Sequence, residues 1–193
     1  MIRIAVEADV PAMLAIYAPY ILNTAYSFEY EVPTEAAFLQ RFRKYTEGFP
    51  WLVWEENGEV LGYAYGSAPF ERAAYGWCAE SSIYLRPDAQ GRGIGRRLYG
   101  ALEALLQYQG YRVLYAIITS ENTGSLCFHS RAGFAHVAQF PRCGWKFGRW
   151  VGTVWMEKRL NFVESPSNMP VPWSAIVADV QKMADILDTL SLS

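Results

Sequence analysis

The stretch DAQGRGIGRRLYG, residues 88–100, sets three alternate glycines, Gly91, Gly93 and Gly95, among three arginines at the start of a predicted helix. A helix N-terminus exposes unpaired N–H groups and carries about half a positive charge. Glycine lets a ligand approach the backbone closely, and proteins hold pyrophosphate groups in this way. The dinucleotide fingerprint G-x-G-x-x-G fails at Arg96, and no G-x-x-x-x-G-K-[ST] occurs. The stretch therefore predicts a local anion site, and a plain strand-to-helix turn with solvated arginines is the alternative.

The composition bounds the class of protein. The chain has 193 residues, of which 52% are hydrophobic, and this suits one globular domain with a sizeable core. A formal charge of -2 gives no general surface for nucleic acid or for an anionic membrane, so neither partner is expected. The uncharged run at residues 10–28 is interrupted by prolines and predicts a buried helix rather than a membrane span.

Cysteine and histidine usage bears on the compartment and on metal binding. Cys78, Cys127 and Cys143 are odd in number and lack a CxxC spacing, which is typical of reduced thiols in a cytoplasmic protein. The two histidines, His129 and His136, stand apart from any Cys/His/Asp cluster with metal-ligand spacing. We therefore expect a cytoplasmic protein without a metal.

Hydrophobic periodicity predicts strands and helices along residues 1–160. Asp9 is a good N-cap for a first helix, Thr34 is one for a second, and Gly110 ends the helix after the glycines. The predicted strands are residues 2–6, the two arms of a hairpin at 51–66, 79–85, 113–118 and 150–160, and a short helix covers 123–131. This order predicts an α+β fold, in which a mixed sheet carries helices on both faces.

Three segments are predicted along the chain. Residues 1–160 form the domain, and residues 161–173, rich in proline and serine, read as a linker. Residues 174–193 predict an amphipathic helix whose apolar stripe is Ile176, Val180, Met183, Leu187 and Leu190. We expect this helix to pack on its own domain or on a partner subunit.

A wider pattern surrounds the glycine stretch. Gln90 to Gly95 matches Q/R-x-x-G-x-G/A, and Asn122, Ser125 and Gly133-Phe134 follow at the spacing that accompanies this pattern. In these features the chain resembles the GCN5-related N-acetyltransferases (GNAT). The resemblance implies the GNAT fold, a central mixed, mostly antiparallel sheet flanked by helices on both faces, and acetyl-coenzyme A (acetyl-CoA) as co-substrate.

The resemblance also implies which residues hold acetyl-CoA. The amides of the glycine loop bind its pyrophosphate, and the strand before the loop pairs with the pantetheine arm. The implied cofactor-binding residues are Ile83, Tyr84, Leu85, Gln90, Gly91, Arg92, Gly93, Ile94, Gly95, Arg96, Asn122 and Ser125.

Three stretches resemble one subgroup of this superfamily more closely than the superfamily pattern alone requires. Residues 71–85, 122–134 and 144–150 are similar to the phosphinothricin and methionine sulfone or sulfoximine acetyltransferases. The resemblance implies transfer of acetyl from acetyl-CoA to the α-amine of a small amino acid analogue. Another amine acceptor (a different amino acid, a polyamine or a protein N-terminus) and a non-catalytic acetyl-CoA sensor are the alternatives. A homodimer is expected because dimers are common in the family.

The candidate catalytic residues are Glu80 and His129. Strand alternation puts Glu80, Ser82 and Tyr84 on one face, and Glu80 is the predicted general base for the amine. His129 stands where many relatives have a tyrosine that protonates the leaving sulfur, a departure shared with the phosphinothricin-type group. A solvated Glu80 and a structural His129 are the alternatives, and the acid or base role of His129 stays open.

A small amino acid acceptor carries a carboxylate and needs a cation nearby. The resemblance implies Arg72 beside the substrate, with Tyr75 and Trp77 lining the same pocket. Phe28, Lys146 and Trp150 are expected to border the acceptor cavity, with core packing as the alternative. A surface loop arginine is the alternative for Arg72, and Arg149 fits either interpretation.

Overall fold

The computed structural model describes residues 1–161 and 163–179. In chain order these residues form β1 (Ile2–Ile4), α1 (Val10–Asn23), α2 (Glu35–Thr46), β2 (Trp51–Glu56), β3 (Glu59–Ser67), β4 (Cys78–Leu85), α3 (Ile94–Gln109), β5 (Val113–Thr119), α4 (Thr123–Arg131), β6 (Ala135–Lys146), β7 (Arg149–Arg159) and α5 (Trp173–Ile176). Short 3-10 turns lie at Glu7–Asp9, Ala73–Tyr75 and Pro87–Ala89. None of the described helices is long and apolar enough to cross a membrane.

One mixed sheet organises the described residues. Its strand order is β1-β2-β3-β4-β5-β7-β6. Only β4 and β5 pair in parallel among the described strands, and the other neighbours are antiparallel. The buried leucines of α3 pack on one face, and α1 and α2 cover the other around Trp51. The predicted mixed sheet with helices on both faces is confirmed.

Local sequence explains the β2–β3 hairpin. Asn57 and Gly58 have φ values of 54° and 79°, the left-handed backbone that a two-residue type I′ turn requires. Trp51 and Val53, on alternate positions of β2, are buried against the α1 and α2 face, whereas Leu52 joins the core beneath α3. The predicted hairpin at residues 51–66 is confirmed.

β6 was not predicted from the sequence. Most of its side chains are exposed, it contains Pro141, and its register with β7 shifts between His136 and Ala138 and between Phe140 and Gly144. An edge strand of this kind carries no alternation of buried and exposed residues. It spans 12 residues, eight of which have partners on β7, and β7 begins at Arg149, one residue before the predicted start.

Asp9 occupies the N-cap position of α1 as predicted, but its side chain makes no capping hydrogen bond to the helix. Its carboxylate accepts from the Val6 N–H at 2.8 Å and pairs with the Arg3 guanidinium at 2.7 Å. The two Arg3 bonds hold the carboxylate away from the helix N–H groups, and Asp9 instead ties β1 to the start of α1. Thr34 caps α2 as predicted, because its hydroxyl accepts from the Ala37 N–H at 3.2 Å.

The predicted linker docks on the domain at its end. Val171 N–H donates to Gln109 O at 2.8 Å, and Trp173 N–H donates to Gly48 O at 3.2 Å. Trp173 and Ile176 are buried in the core beneath α3. The α5 helix begins at Trp173, and the part of the predicted C-terminal helix at residues 180–193 lies outside the described residues.

Candidate functional site

A cleft opens where β4 and β5 separate. The two strands pair from Cys78↔Val113 to Glu80↔Tyr115, whereas β3 stays paired with β4 as far as Gly62↔Leu85. The Arg86 N–H donates to Leu61 O at 2.9 Å, so by alternation the main-chain groups of Ile83 and Leu85 point away from β3. These groups therefore face the cleft, beyond the point where β5 has diverged.

Two adjoining cavities occupy the cleft. The smaller, of about 70 Å³, lies between β4 and β5 and is lined by residues 81–84 and 116–119 together with Asn122, Ser125 and His129. The larger, of about 610 Å³, extends from Ile83 and Leu85 to the glycine loop and along α4. Tyr20, Tyr26, Ile83, Asn122 and Ser125 line both cavities.

The glycine loop forms one end of the larger cavity. Gly91 and Gly93 have φ values of 73° and 79°, so glycine suits both positions, and a Cβ at either would meet nothing within 4 Å. The first helical bond at the loop runs from Arg97 N–H to Gly93 O, which leaves the N–H groups of residues 94–96 outside the α-helical ladder. Gly95 lies against Ile83 and Leu85, where a Cβ would be 3.4–3.6 Å from their side chains. The loop thus offers several amides and the start of a helix to an anion.

Glu80 is the last residue of β4 that pairs with β5. Its carboxyl is largely buried, and burial raises its pKa from the ordinary 4.5 to about 7. In residues 1–161 and 163–179 no cation lies within ion-pair distance of it. Glu80 does not itself line either cavity, but the next residue, Ser81, lines the smaller one. A carboxyl with a pKa near 7 can accept a proton at neutral pH.

His129 lies on α4 and is 3% exposed. Its Nδ1 is 2.8 Å from Ser125 O and 3.2 Å from Ser125 Oγ. Tyr99, Phe128 and Phe134 meet the imidazole edge-on with centroids 5.2, 5.1 and 5.3 Å away. Burial lowers the pKa of His129 below its ordinary value, which favours the neutral ring.

The predicted acceptor residues lie outside both cavities. Arg72, Tyr75 and Trp77 belong to the β3–β4 connection and its junction with β4, and Trp77 Nε1 donates to Asn168 O at 2.9 Å. Trp150 is 55% exposed beside Trp145, 5.5 Å between centroids. Phe28 packs on Gly144, whose added Cβ would be 2.4 Å from the Phe28 ring.

Lys146 does not border an acceptor cavity, in contrast to the prediction. Its side chain is 3% exposed, and Nζ donates to Ile21 O at 2.8 Å and to Ser27 O at 2.6 Å. Burial lowers its pKa. The ammonium is directed inward because these carbonyls, at the end of α1 and in the next loop, satisfy it there. Lys146 therefore fastens the loop after α1 to β6.

Comparison with known proteins identifies the family. A model described as an acetyltransferase (GNAT) domain matches residues 2–155. The chain belongs to this family. It is 39% identical over 162 residues to the phosphinothricin N-acetyltransferase of Alcaligenes faecalis, covering 83% of this chain and 82% of that protein. It is 39% identical over 165 residues to the L-methionine sulfoximine/L-methionine sulfone acetyltransferase of Pseudomonas aeruginosa, covering 83% and 94%.

A solved structure supports the same assignment of this GNAT acetyltransferase. The crystal structure of a GNAT superfamily phosphinothricin acetyltransferase from Sinorhizobium meliloti in complex with acetyl-CoA has a TM-score of 0.81 and 36% identity, covering 89% of this chain and 92% of that chain. The predicted GNAT fold and the predicted acetyl-CoA-dependent acetyltransferase activity are confirmed. Among the described residues no group of three or more His, Cys, Asp or Glu is placed to hold a metal ion.

The residues of the GNAT acetyltransferase fit its co-substrate. An acyl-CoA carries a diphosphate, which suits the glycine-loop amides, and an amide-rich arm, which suits the main-chain groups of β4 that face the cleft. Of the predicted cofactor-binding residues, those that line a cavity are Ile83, Tyr84, Leu85, Gln90, Gly91, Gly93, Gly95, Arg96, Asn122 and Ser125. Two others do not: Ile94 is 2% exposed in the core, and Arg92 pairs with Glu56 at 2.7 Å. Ile94 therefore offers only its N–H, and the Arg92 charge is directed to Glu56.

Several residues that line the cavities of this GNAT acetyltransferase were not predicted from the sequence. Tyr20 donates to Leu85 O at 2.6 Å and accepts from Gln90 Nε2 at 3.1 Å, so α1 contacts both the strand and the glycine loop. No local pattern distinguishes Tyr20 or Tyr26 from the other aromatic residues of the uncharged run. Gly124, Phe128 and Arg131 also line the larger cavity. Their helical spacing with Asn122 was the available signal.

Proposed function

We propose that this acetyltransferase moves the acetyl group of acetyl-CoA to the α-amine of a small amino acid analogue of the phosphinothricin, methionine sulfoximine or methionine sulfone type. The observation that carries the proposal is the cleft at the β4–β5 separation. The glycine loop lines one end of this cleft and His129 lines the other, while Glu80 is the last β4 residue that pairs with β5 before the strands separate. The names of the 39% identical relatives from Alcaligenes faecalis and Pseudomonas aeruginosa support the acceptor class.

The proposed chemistry begins with the amine. Bound acetyl-CoA supplies the acetyl group as a thioester. An α-ammonium must lose a proton before its nitrogen can attack, and Glu80, with a pKa of about 7, accepts that proton directly or through a water. An unpaired main-chain N–H of Ile83 or Leu85 donates to the carbonyl oxygen, where negative charge develops. His129 is proposed to act on the side of the leaving sulfur.

The acceptor is proposed to lie on the Glu80 face, beside the β3–β4 connection. The Tyr75 ring lies tilted against Phe70, centroids 4.4 Å apart, and Phe70 meets Tyr115, which is the β5 partner of Glu80. Arg72 begins the 3-10 turn of that connection and is exposed, with no ion pair found within the described part of the chain. We propose that Arg72 binds the acceptor carboxylate, with Tyr75 as the nearby wall.

The assay is release of free thiol from acetyl-CoA by the purified protein. The acceptor panel is phosphinothricin, methionine sulfoximine, methionine sulfone, ordinary amino acids and spermidine. We expect fast turnover confined to the first three acceptors. If only ordinary amino acids or spermidine are turned over, the proposed acceptor class is wrong. If acetyl-CoA binds but no acceptor is turned over, the sensor alternative is favoured.

A matched pair of variants tests Arg72. Arg72→Lys keeps the charge but loses the two-pronged carboxylate geometry, and Arg72→Gln loses the charge. Both are expected to raise KM for the acceptor, the second more strongly, while KM for acetyl-CoA is unchanged. An unchanged acceptor KM in Arg72→Gln would remove Arg72 from the site.

We also propose that the chain is a cytoplasmic homodimer. Support for a dimer is a set of half-exposed apolar side chains on β6, the following turn and the start of β7: Val137, Phe140, Trp145, Phe147 and Trp150. The described cysteines form no disulfide, as expected in a reducing compartment. Size-exclusion chromatography with light scattering measures the mass of the protein in solution. A monomer mass at the assay concentration would contradict the dimer.

A further inference from the structure

Two buried polar atoms belong to the smaller cavity. Thr119 and His129 both line it, and their side chains are 5% and 3% exposed. Among the described residues neither Thr119 Oγ1 nor His129 Nε2 has a hydrogen-bond partner. Buried polar groups in native proteins are nearly always hydrogen-bonded, to protein or to ordered water. The pair therefore indicates that this cavity holds something polar.

The hydrogen bond made by Nδ1 determines the tautomer of His129. Ser125 O, 2.8 Å from Nδ1, is a carbonyl and only accepts, so Nδ1 carries the proton. Nε2 then has a free lone pair and needs a donor. The Thr119 hydroxyl can both donate and accept.

The smaller cavity passes through the sheet. Ala116 and Ile118 belong to the core beneath α3, so Ile117 and Thr119 point to the opposite face. On β4, Ser81 contacts Tyr99 of α3, so Ser82 and Glu80 point to the opposite face as well. Thr119 thus lies on the Glu80 face, whereas His129 meets Tyr99 on the α3 face.

The cavity is large enough to hold water. Its volume of about 70 Å³ exceeds the space that one water molecule needs, and its lining includes hydroxyl groups and main-chain polar groups. Water at this point would contact both faces of the sheet.

We propose that Thr119 is a positioning residue whose hydroxyl holds ordered water that donates to Nε2 of His129 and so connects the Glu80 face with the His129 face. The inference rests on the proposed acetyl transfer, in which the α-ammonium loses two protons. Glu80 accepts one and releases it to solvent. The other passes along the water to Nε2 as the N–C bond forms, and the imidazolium returns it to the sulfur as the C–S bond breaks, which gives the free thiol.

Nitrogen NMR tests the hydrogen bond without turnover. The chain has two histidines, so a protein labelled with 15N-histidine shows two imidazoles, and His129→Gln assigns them. His136 is exposed on β6 and serves as the internal control. In Thr119→Val we expect the Nε2 resonance of His129 to move toward that of an unbonded ring nitrogen, while the His136 signals stay fixed. Thr119→Ser keeps the hydroxyl and is expected to retain the wild-type position.

Kinetics test the consequence. Thr119→Val is expected to lower kcat about tenfold, the scale of one lost hydrogen bond to a reacting group, with KM for acetyl-CoA unchanged. Thr119→Ser should recover most of the rate. In a His129→Gln background Thr119→Val should add no further loss, because the two residues act through one contact. If Thr119→Val does not fold, Thr119→Ala provides the same readouts.

Two results would overturn the inference: additive losses in the double variant, or His129 resonances that ignore Thr119→Val. A wild-type protein that turns over no acceptor, yet shows the NMR coupling, overturns the proposed function and leaves the Thr119–water–His129 contact in place.

Discussion

Replacing Glu80 with glutamine should stabilise the protein at alkaline pH while reducing its activity. Burial raises the Glu80 pKa from 4.5 to about 7, so the folded state holds this proton more tightly than the unfolded chain does. Folded-state stability is therefore lost as pH rises between about 4.5 and 7, and the loss is complete above that window. At 1.36 kcal/mol per tenfold, the loss is about 1 kcal/mol at pH 5 and about 3 kcal/mol at pH 8. Glutamine does not ionise, so the Glu80→Gln variant avoids this loss of stability.

Urea unfolding at pH 5 and pH 8 measures this difference. We expect Glu80→Gln to gain about 2 kcal/mol more over wild type at pH 8 than at pH 5, and kcat to fall by roughly tenfold to a thousandfold, the range of general-base losses. Glu164→Gln, at an exposed carboxyl, is the control and should change neither quantity. An equal gain at both pH values would refute the buried, proton-holding Glu80, and unchanged turnover would remove Glu80 from the chemistry.

Three further substitutions test the loop, the core and the β6 contact. Gly93→Val imposes a β-branched side chain at a φ of 79° and should abolish acetyl-CoA binding measured by calorimetry. The control variant Gly48→Ala, in open space and with an ordinary φ, should bind acetyl-CoA normally. Normal binding by Gly93→Val would contradict the anion site. Lys146→Met leaves Ile21 O and Ser27 O unpaired and should cost about 2–4 kcal/mol in urea unfolding, and an unchanged midpoint would contradict the burial of Nζ. Gly152→Ala puts a Cβ 2.7 Å from Phe140 O and should cost about 1–3 kcal/mol by the same assay; a neutral result means that β6 shifts freely.

The glycine loop was predictable because its chemistry is contiguous in sequence. Gly91, Gly93 and Gly95 are proposed to act through main-chain amides, so their spacing alone predicts an anion site at a helix start. Glu80 was also accessible, since strand alternation places it beside Ser82 and Tyr84 on one face. Its raised pKa was not, because burial depends on elements that are distant in sequence.

The missed features depend on tertiary contacts. Tyr20 looks like a core residue of α1, yet its hydroxyl reaches Leu85 O, 65 residues away. Lys146 looks like a pocket cation, but the carbonyls at the end of α1 hold it inside. β6 shows no alternation because an edge strand that is exposed on both faces needs none. In each case the deciding partner lies far along the chain.

The separation of β4 from β5 leaves the hydrogen-bond ladder of the sheet interrupted at Ile83 and Leu85. A co-substrate arm that bonds to these residues completes the ladder, so it contributes to the architecture as well as to the reaction. Mass action then links the melting temperature to metabolite supply: a ligand at a hundred times its Kd adds about 2.7 kcal/mol to the folded state. The lifetime of this enzyme in a cell would accordingly depend on the concentration of acetyl-CoA that the cell maintains.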